Sequence, residues 1–115
     1  MGDTPKADVE GADRRKYRRI RAPLHYRRTD SPLVGEALDI SLGGVRIYSH
    51  KRFAVGAVIN LEIFRPDGPP ASYRAHVMWI STLSEGAPAR FDVGLRFVEI
   101  EPDALRFLMQ VISHG

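Results

Sequence analysis

The chain has 115 residues, 43% hydrophobic and 27% charged, with a formal net charge of +3 and no cysteine. That length accommodates one domain with a modest core, and the composition is that of a soluble globular protein rather than a disordered chain. The lack of cysteine excludes disulfides, zinc-thiolate sites and thiol nucleophiles, and no apolar run approaches the roughly 18 residues that cross a bilayer, so the expectation is a cytoplasmic protein without membrane insertion.

In chain order, residues 1–12 carry two glycines, a proline and little to bury, and read as a flexible N-terminal tail without signal-like character. The folded domain is expected to span 13–115. Between Arg14 and Arg28 stand eight basic side chains, seven of them arginine, and no acid, while the remaining residues hold nine basic and all 14 acidic side chains. The positive charge is therefore local. A guanidinium pairs two oxygens at once and stacks on flat rings, so phosphate is the partner this stretch suggests. With only Tyr17 and Ile20 apolar between Arg14 and Arg21, it reads as an arm or short turn rather than a core element.

Pro23 holds the chain extended, and Leu24-His25-Tyr26 begins a strand before Thr29-Asp30-Ser31-Pro32 turns it. From Leu33 onward short strands alternate with turn residues, the spacing of an antiparallel barrel or sandwich. Strands are expected at 34–40, 45–49, 57–64, 72–80 and 91–97. The first pair is joined by Ser41-Leu42-Gly43-Gly44, where adjacent glycines are expected to supply positive φ angles. Alternation puts Ile59, Leu61 and Ile63 inward, then Tyr73, Ala75, Val77 and Trp79 on one face, then Phe91, Val93, Leu95 and Phe97 inward, with Gly94 at a close approach. Pro66, Pro69 and Pro70 interrupt any ladder and mark a loop. Only the C-terminus changes period: Glu101-Pro102-Asp103 opens a helix, and Leu105, Leu108, Met109 and Ile112 fall on one stripe that should pack on the sheet or across a barrel mouth.

Asp39-Ile40-Ser41-Leu42-Gly43-Gly44 is the second feature of interest. A carboxylate and a hydroxyl two apart on an extended segment share a side, and the glycines let a ligand approach the backbone. A carboxylate there can accept both N1–H and the exocyclic amine of a guanine. Alone, the turn also reads as a hairpin whose side chains satisfy their own backbone, and the arm as a solvated or nucleic-acid-binding tail. Trp79 is assigned to the core face, with stacking on a guanine as the alternative. Arg46, Arg74 and His76 read as scattered surface charge, with lining the site as the alternative. The four histidines have no paired spacing, so no metal is expected. Ser41 lacks a nucleophile elbow, and there is no Walker loop or dinucleotide fingerprint. Neither an enzyme nor a cofactor is indicated.

Arg15-x-x-x-Arg19 followed twenty residues later by Asp39-x-Ser41-x-x-Gly44, with the later Gly94-Leu95-Arg96-Phe97, resembles the PilZ family of cyclic di-GMP receptors across nearly the whole chain from Asp13. The resemblance implies an all-β fold: a small six-stranded antiparallel β-barrel of split-barrel type with a C-terminal α-helix. It implies cyclic di-GMP as ligand, Arg15 and Arg19 on the phosphates and guanine faces with Arg14 auxiliary, Asp39 and Ser41 on a guanine, and Gly43 and Gly44 shaping the turn. It further implies that the arginine arm changes conformation on binding and signals to a protein partner in motility, biofilm or exopolysaccharide control. The competing expectations are a nucleic-acid-binding barrel that uses the basic arm, and an interaction adaptor indifferent to ligand.

Overall fold

The computed structural model describes residues 19–114. The tail at 1–12 and the arginines Arg14 and Arg15 lie outside the described residues. Six strands, β1 (Leu24–Arg28), β2 (Val34–Ile40), β3 (Gly44–Ser49), β4 (Val58–Phe64), β5 (Ala71–Thr82) and β6 (Phe91–Glu99), precede one helix, α1 (Pro102–His114). The strands close into a barrel in the order β1-β2-β3-β6-β5-β4, every pair antiparallel. This is the expected six-stranded barrel with a C-terminal helix. Closure leaves no unpaired edge, so a sheet whose strands run only 5 to 12 residues has no free ladder to aggregate through.

The period-2 reading holds along most of the barrel wall. Ile59, Leu61 and Ile63 of β4, Tyr73, Ala75 and Val77 of β5, and Val93, Leu95 and Phe97 of β6 all face the core. Burying each such side chain contributes about 1.5–3 kcal/mol, which makes this interior the main stabilising term. Ile20, expected in an arm without core, is instead a core residue at 7% exposure, and it exchanges two 2.9 Å backbone hydrogen bonds with Ile40. A single buried isoleucine suffices to pin the end of a polar segment, because the bridge also satisfies both backbone groups at the end of β2.

The helix begins as expected, with Asp103 in its first turn and the Leu105 N–H donating to the Glu101 carbonyl. Its buried stripe differs: Ala104, Leu108 and Val111 are buried, whereas Leu105 and Met109 are exposed. Both stripes have helical spacing. The Tyr73 hydroxyl, donating to the Ala104 carbonyl at 2.8 Å from inside the barrel, marks the face that docks. Tyr73 stacks on Phe97 at 4.9 Å, so α1 closes the barrel end to which those two side chains belong.

The turn after β2 also departs from expectation. Neither Gly43 nor Gly44 has a positive φ; among the described residues only Gly56 and Gly86 do. Gly44 is required by space instead, since a Cβ there would lie 2.1 Å from the Leu95 carbonyl oxygen. The Phe97 N–H donates to the Gly43 carbonyl and the Ser41 N–H to the Gly44 carbonyl, so the turn is pressed onto β6.

Candidate functional site

Two β-bulges set the site. Alternation from buried Ala37 would turn Asp39 inward, but the register between β2 and β3 shifts between those residues, and the pairs run Ala37↔Ile47, Asp39↔Arg46, Ile40↔Val45. Ile47, Ile40 and Val45 are fully buried, so Asp39 and Arg46 share the outer face. In β5 the register shifts between Val77 and Trp79, giving Val77↔Leu95, Trp79↔Gly94 and Ile80↔Val93. Trp79 therefore leaves the core face on which alternation placed it and lies outside, half-buried over Gly94. A Cβ at Gly94 would fall 2.2 Å from the indole Nε1, which explains the glycine at this position. Bulges re-aim side chains in this way because one strand carries an extra residue against its partner.

The registers then place Asp39, Arg46, Gly94 and Trp79 in one row across β2, β3, β6 and β5. Arg19 reaches this row from the strap held by Ile20. Its Nε donates to Asp39 Oδ1 at 2.8 Å and its Nη1 to Ser41 Oγ at 3.4 Å. Arg46 Nη1 lies 3.2 Å from Asp39 Oδ2, and its Nε lies 3.2 Å from Asp92 Oδ1. The latter two atoms are buried and charge-paired without the alignment of a hydrogen bond. Burial pushes the Asp92 carboxyl above its ordinary range; Arg46 opposes this and the Asp39 charge adds to it.

Ser41 is 1% exposed, and its Oγ accepts from the Gly43 and Gly44 N–H groups at 3.1 and 3.3 Å. It thus satisfies its own turn and still receives Arg19. The structure brings together Arg19, Asp39, Ser41, Gly43, Gly44 and Trp79 from the sequence reading. Arg46, for which lining the site is the alternative to surface charge, stands at the centre, and Asp92 is no part of the sequence reading. Arg46 was legible by counting across the turn, since Ile40↔Val45 makes Asp39↔Arg46 the next pair. Arg74 and His76 have other partners, Glu99 at 3.4 Å and the Gly56 carbonyl at 2.8 Å. Among the described residues no cluster of His, Asp and Glu could hold a metal ion, and no helix is long and apolar enough to cross a membrane.

Residues 13–113 match the family model of the PilZ domain. The chain belongs to the PilZ family. Solved structures similar to this PilZ chain include the inhibitor of motility MotI/DgrA of Bacillus subtilis (22% identity, TM-score 0.69, covering 85% of this chain and 48% of that one). Another is YcgR of Escherichia coli in complex with c-di-GMP (23% identity, TM-score 0.67, 88% and 45%). The PilZ domain of YcgR with c-di-GMP matches at 24% identity and a TM-score of 0.66, covering 88% of this chain and 90% of that one. The chain thus spans about half the length of MotI and of the longer YcgR chain. No curated protein sequence matches it. At these identities the similarity concerns the PilZ fold.

Proposed function

We propose that this PilZ chain is a non-enzymatic receptor for cyclic di-GMP, binding it on the outer barrel face around Asp39 and passing the event to a protein partner through the arginine arm. The observation that carries this reading is the row Asp39–Arg46–Gly94–Trp79 with Arg19 and Ser41 attached: an acceptor, cations and a flat apolar plate on one accessible surface. Family membership and the YcgR structures with c-di-GMP support the choice of ligand.

Asp39 Oδ1 accepts from Arg19 Nε at 2.8 Å. Guanine presents N1–H and an exocyclic amine, two donors that replace the Arg19 Nε on that carboxylate, while Arg46 keeps the charge balanced. Arg19, released, turns its guanidinium to the phosphates or a base face together with Arg15 and, as auxiliary, Arg14. Gly43 and Gly44 leave the turn open to the ligand, and the Trp79 indole offers a second stacking surface. The exchange at Asp39 moves the strap that Ile20 holds, which makes the arm the output. Motility is the process to which MotI points by its name.

Titration calorimetry with cyclic di-GMP tests this directly: saturable binding is expected, and no heat at high micromolar ligand overturns the reading. Arg19→Ala and Asp39→Ala should each weaken affinity by roughly tenfold to a hundredfold, the loss of a charge-assisted hydrogen bond worth about 1.5–3 kcal/mol.

A further inference from the structure

A cavity of about 290 Å³ lies away from the Asp39 face, between the tip of the β1–β2 hairpin, the end of β3 and the loop before β6. The registers put it at the barrel end remote from α1, since Ser49↔Phe91 closes β3 there whereas Gly44↔Arg96 lies at the helix end. Its wall includes Tyr26, Tyr48 and Phe53. Arg28 stands on the core-facing side of β1, in register with fully buried Leu61. The Arg28 guanidinium lies 5.3 Å from the centre of the Phe53 ring and touches Asp30 at 3.2 Å, while its Nε is buried without a hydrogen-bond partner. The side chain is 36% exposed, so its guanidinium reaches the cavity mouth while the buried Nε keeps a free donor beside it.

Charge around the cavity is predominantly positive. Glu36 is the only acid in its wall, against Arg28 and Lys51, and Asp30 pairs with Arg28. Arg52 and Arg90 flank it, both over the Phe91 ring at 5.0 and 5.9 Å. Among the described residues Lys51, Arg52 and Arg90 pair with no carboxylate. The rim continues onto exposed apolar surface at Leu33 and Val34, 64% and 54% accessible. At about 290 Å³ the cavity lies at the small end of the range for ligand pockets and has room for one aromatic side chain. An aromatic-lined pocket inside an apolar and basic rim is the form of an anchor site for a protein segment.

We propose that the barrel end remote from the helix docks an acidic peptide segment of a partner protein, seating one aromatic side chain in the Tyr26–Phe53 cavity with flanking carboxylates on Lys51, Arg52 and Arg90. This surface is separate from the Asp39 face, so it stands whether or not that face takes cyclic di-GMP.

The probe is a blocked peptide Asp-Glu-Trp-Glu-Asp titrated into the isotope-labelled full chain, followed by amide chemical shifts. Saturable shifts at Arg28, Gly35, Lys51 and Ala89 are expected. Replacing the tryptophan of the peptide by alanine, or its acids by amides, should weaken binding roughly tenfold or more. The double variant Lys51→Glu, Arg52→Glu, at exposed positions that leave the core intact, should lose binding likewise, while Arg74→Glu on β5 should not. Shifts centred on Asp39 and Arg46, equal affinity for the alanine peptide, no shift at any peptide concentration, or unchanged binding by the double variant would each overturn the proposal. So would shifts of the same amides on concentrating the chain without peptide, which would assign the pocket to a second copy.

Discussion

Asp39 works because both its oxygens are spoken for, one by Arg19 and one by Arg46. The neighbouring Asp92 carries the cost of this crowding. Its folded pKa is raised above the ordinary value of 3.8, chiefly by burial. The folded chain therefore holds that proton more tightly than the unfolded chain, and the associated stability is present below about pH 3.8 and lost as pH rises through the raised value. Asp92→Asn, which cannot ionise, is expected to be more stable than the parent near pH 7, with the gap closing as pH falls toward 3.8; thermal unfolding across that range measures it. The glycines of the site divide by what surrounds them. At Gly44 the obstacle is the Leu95 backbone carbonyl, which cannot give way, so Gly44→Ala should cost about 1–3 kcal/mol or more in denaturant unfolding. At Gly94 the obstacle is the Trp79 side chain, which can rotate. Gly94→Ala should therefore destabilise less and be seen as a change in Trp79 fluorescence together with weaker cyclic di-GMP binding.

Among the elements, β2 and β5 each spend one residue on a bulge and so deliver Asp39 and Trp79 to the same outer face. The strap before β1 contributes through Ile20, whose burial and paired bonds to Ile40 hold Arg19 within reach of Asp39. Ile20→Ala should cost about 2–5 kcal/mol, as for other core truncations, and should speed hydrogen exchange of the Ile40 amide beyond what global unfolding allows. The helix offers an internal control. Leu108 is fully buried and Met109 is 53% exposed, so Leu108→Ala should lose about 2–5 kcal/mol and Met109→Ala about 0.5 kcal/mol or less. Equal losses at the two positions would mean that α1 docks by the other stripe.

For the molecule as a whole, the closed barrel has two differently furnished ends, and the site sits on its wall beside the helix-capped one. Clustering of positive charge in residues 14–28 raises the local concentration of any phosphate ligand, whatever the contacts. Ionic strength separates the ways of using it. A cyclic dinucleotide with two phosphates should show a shallow dependence of affinity on salt, whereas a nucleic acid gripped at several phosphates loses affinity with a slope of about 0.7–0.9 per phosphate contacted. Measuring cyclic di-GMP affinity over a salt series, with single-stranded DNA alongside, decides between them; a steep slope that ignores Asp39→Ala would favour the basic arm as a nucleic-acid binder.

Strand positions, the loops at the proline-rich and glycine-bearing stretches, the start of the helix and the grouping of Arg19 with Asp39 and Ser41 were all legible in the sequence alone. Each depends on neighbours a few residues away: alternation, backbone restriction at proline, an acid in a first helical turn, and the spacing of a short motif. What only the tertiary structure decided is direction. A bulge adds one residue to one strand and is visible only against the strand it pairs with, so the outward turn of Asp39 and Trp79 could not be read from period 2. Two apolar stripes compete on α1, and a hydrogen bond from Tyr73 inside the barrel marks which one docks. Ile20 became a core residue through a partner twenty positions away, and Arg46 became central because strand register, a long-range property, set it beside Asp39.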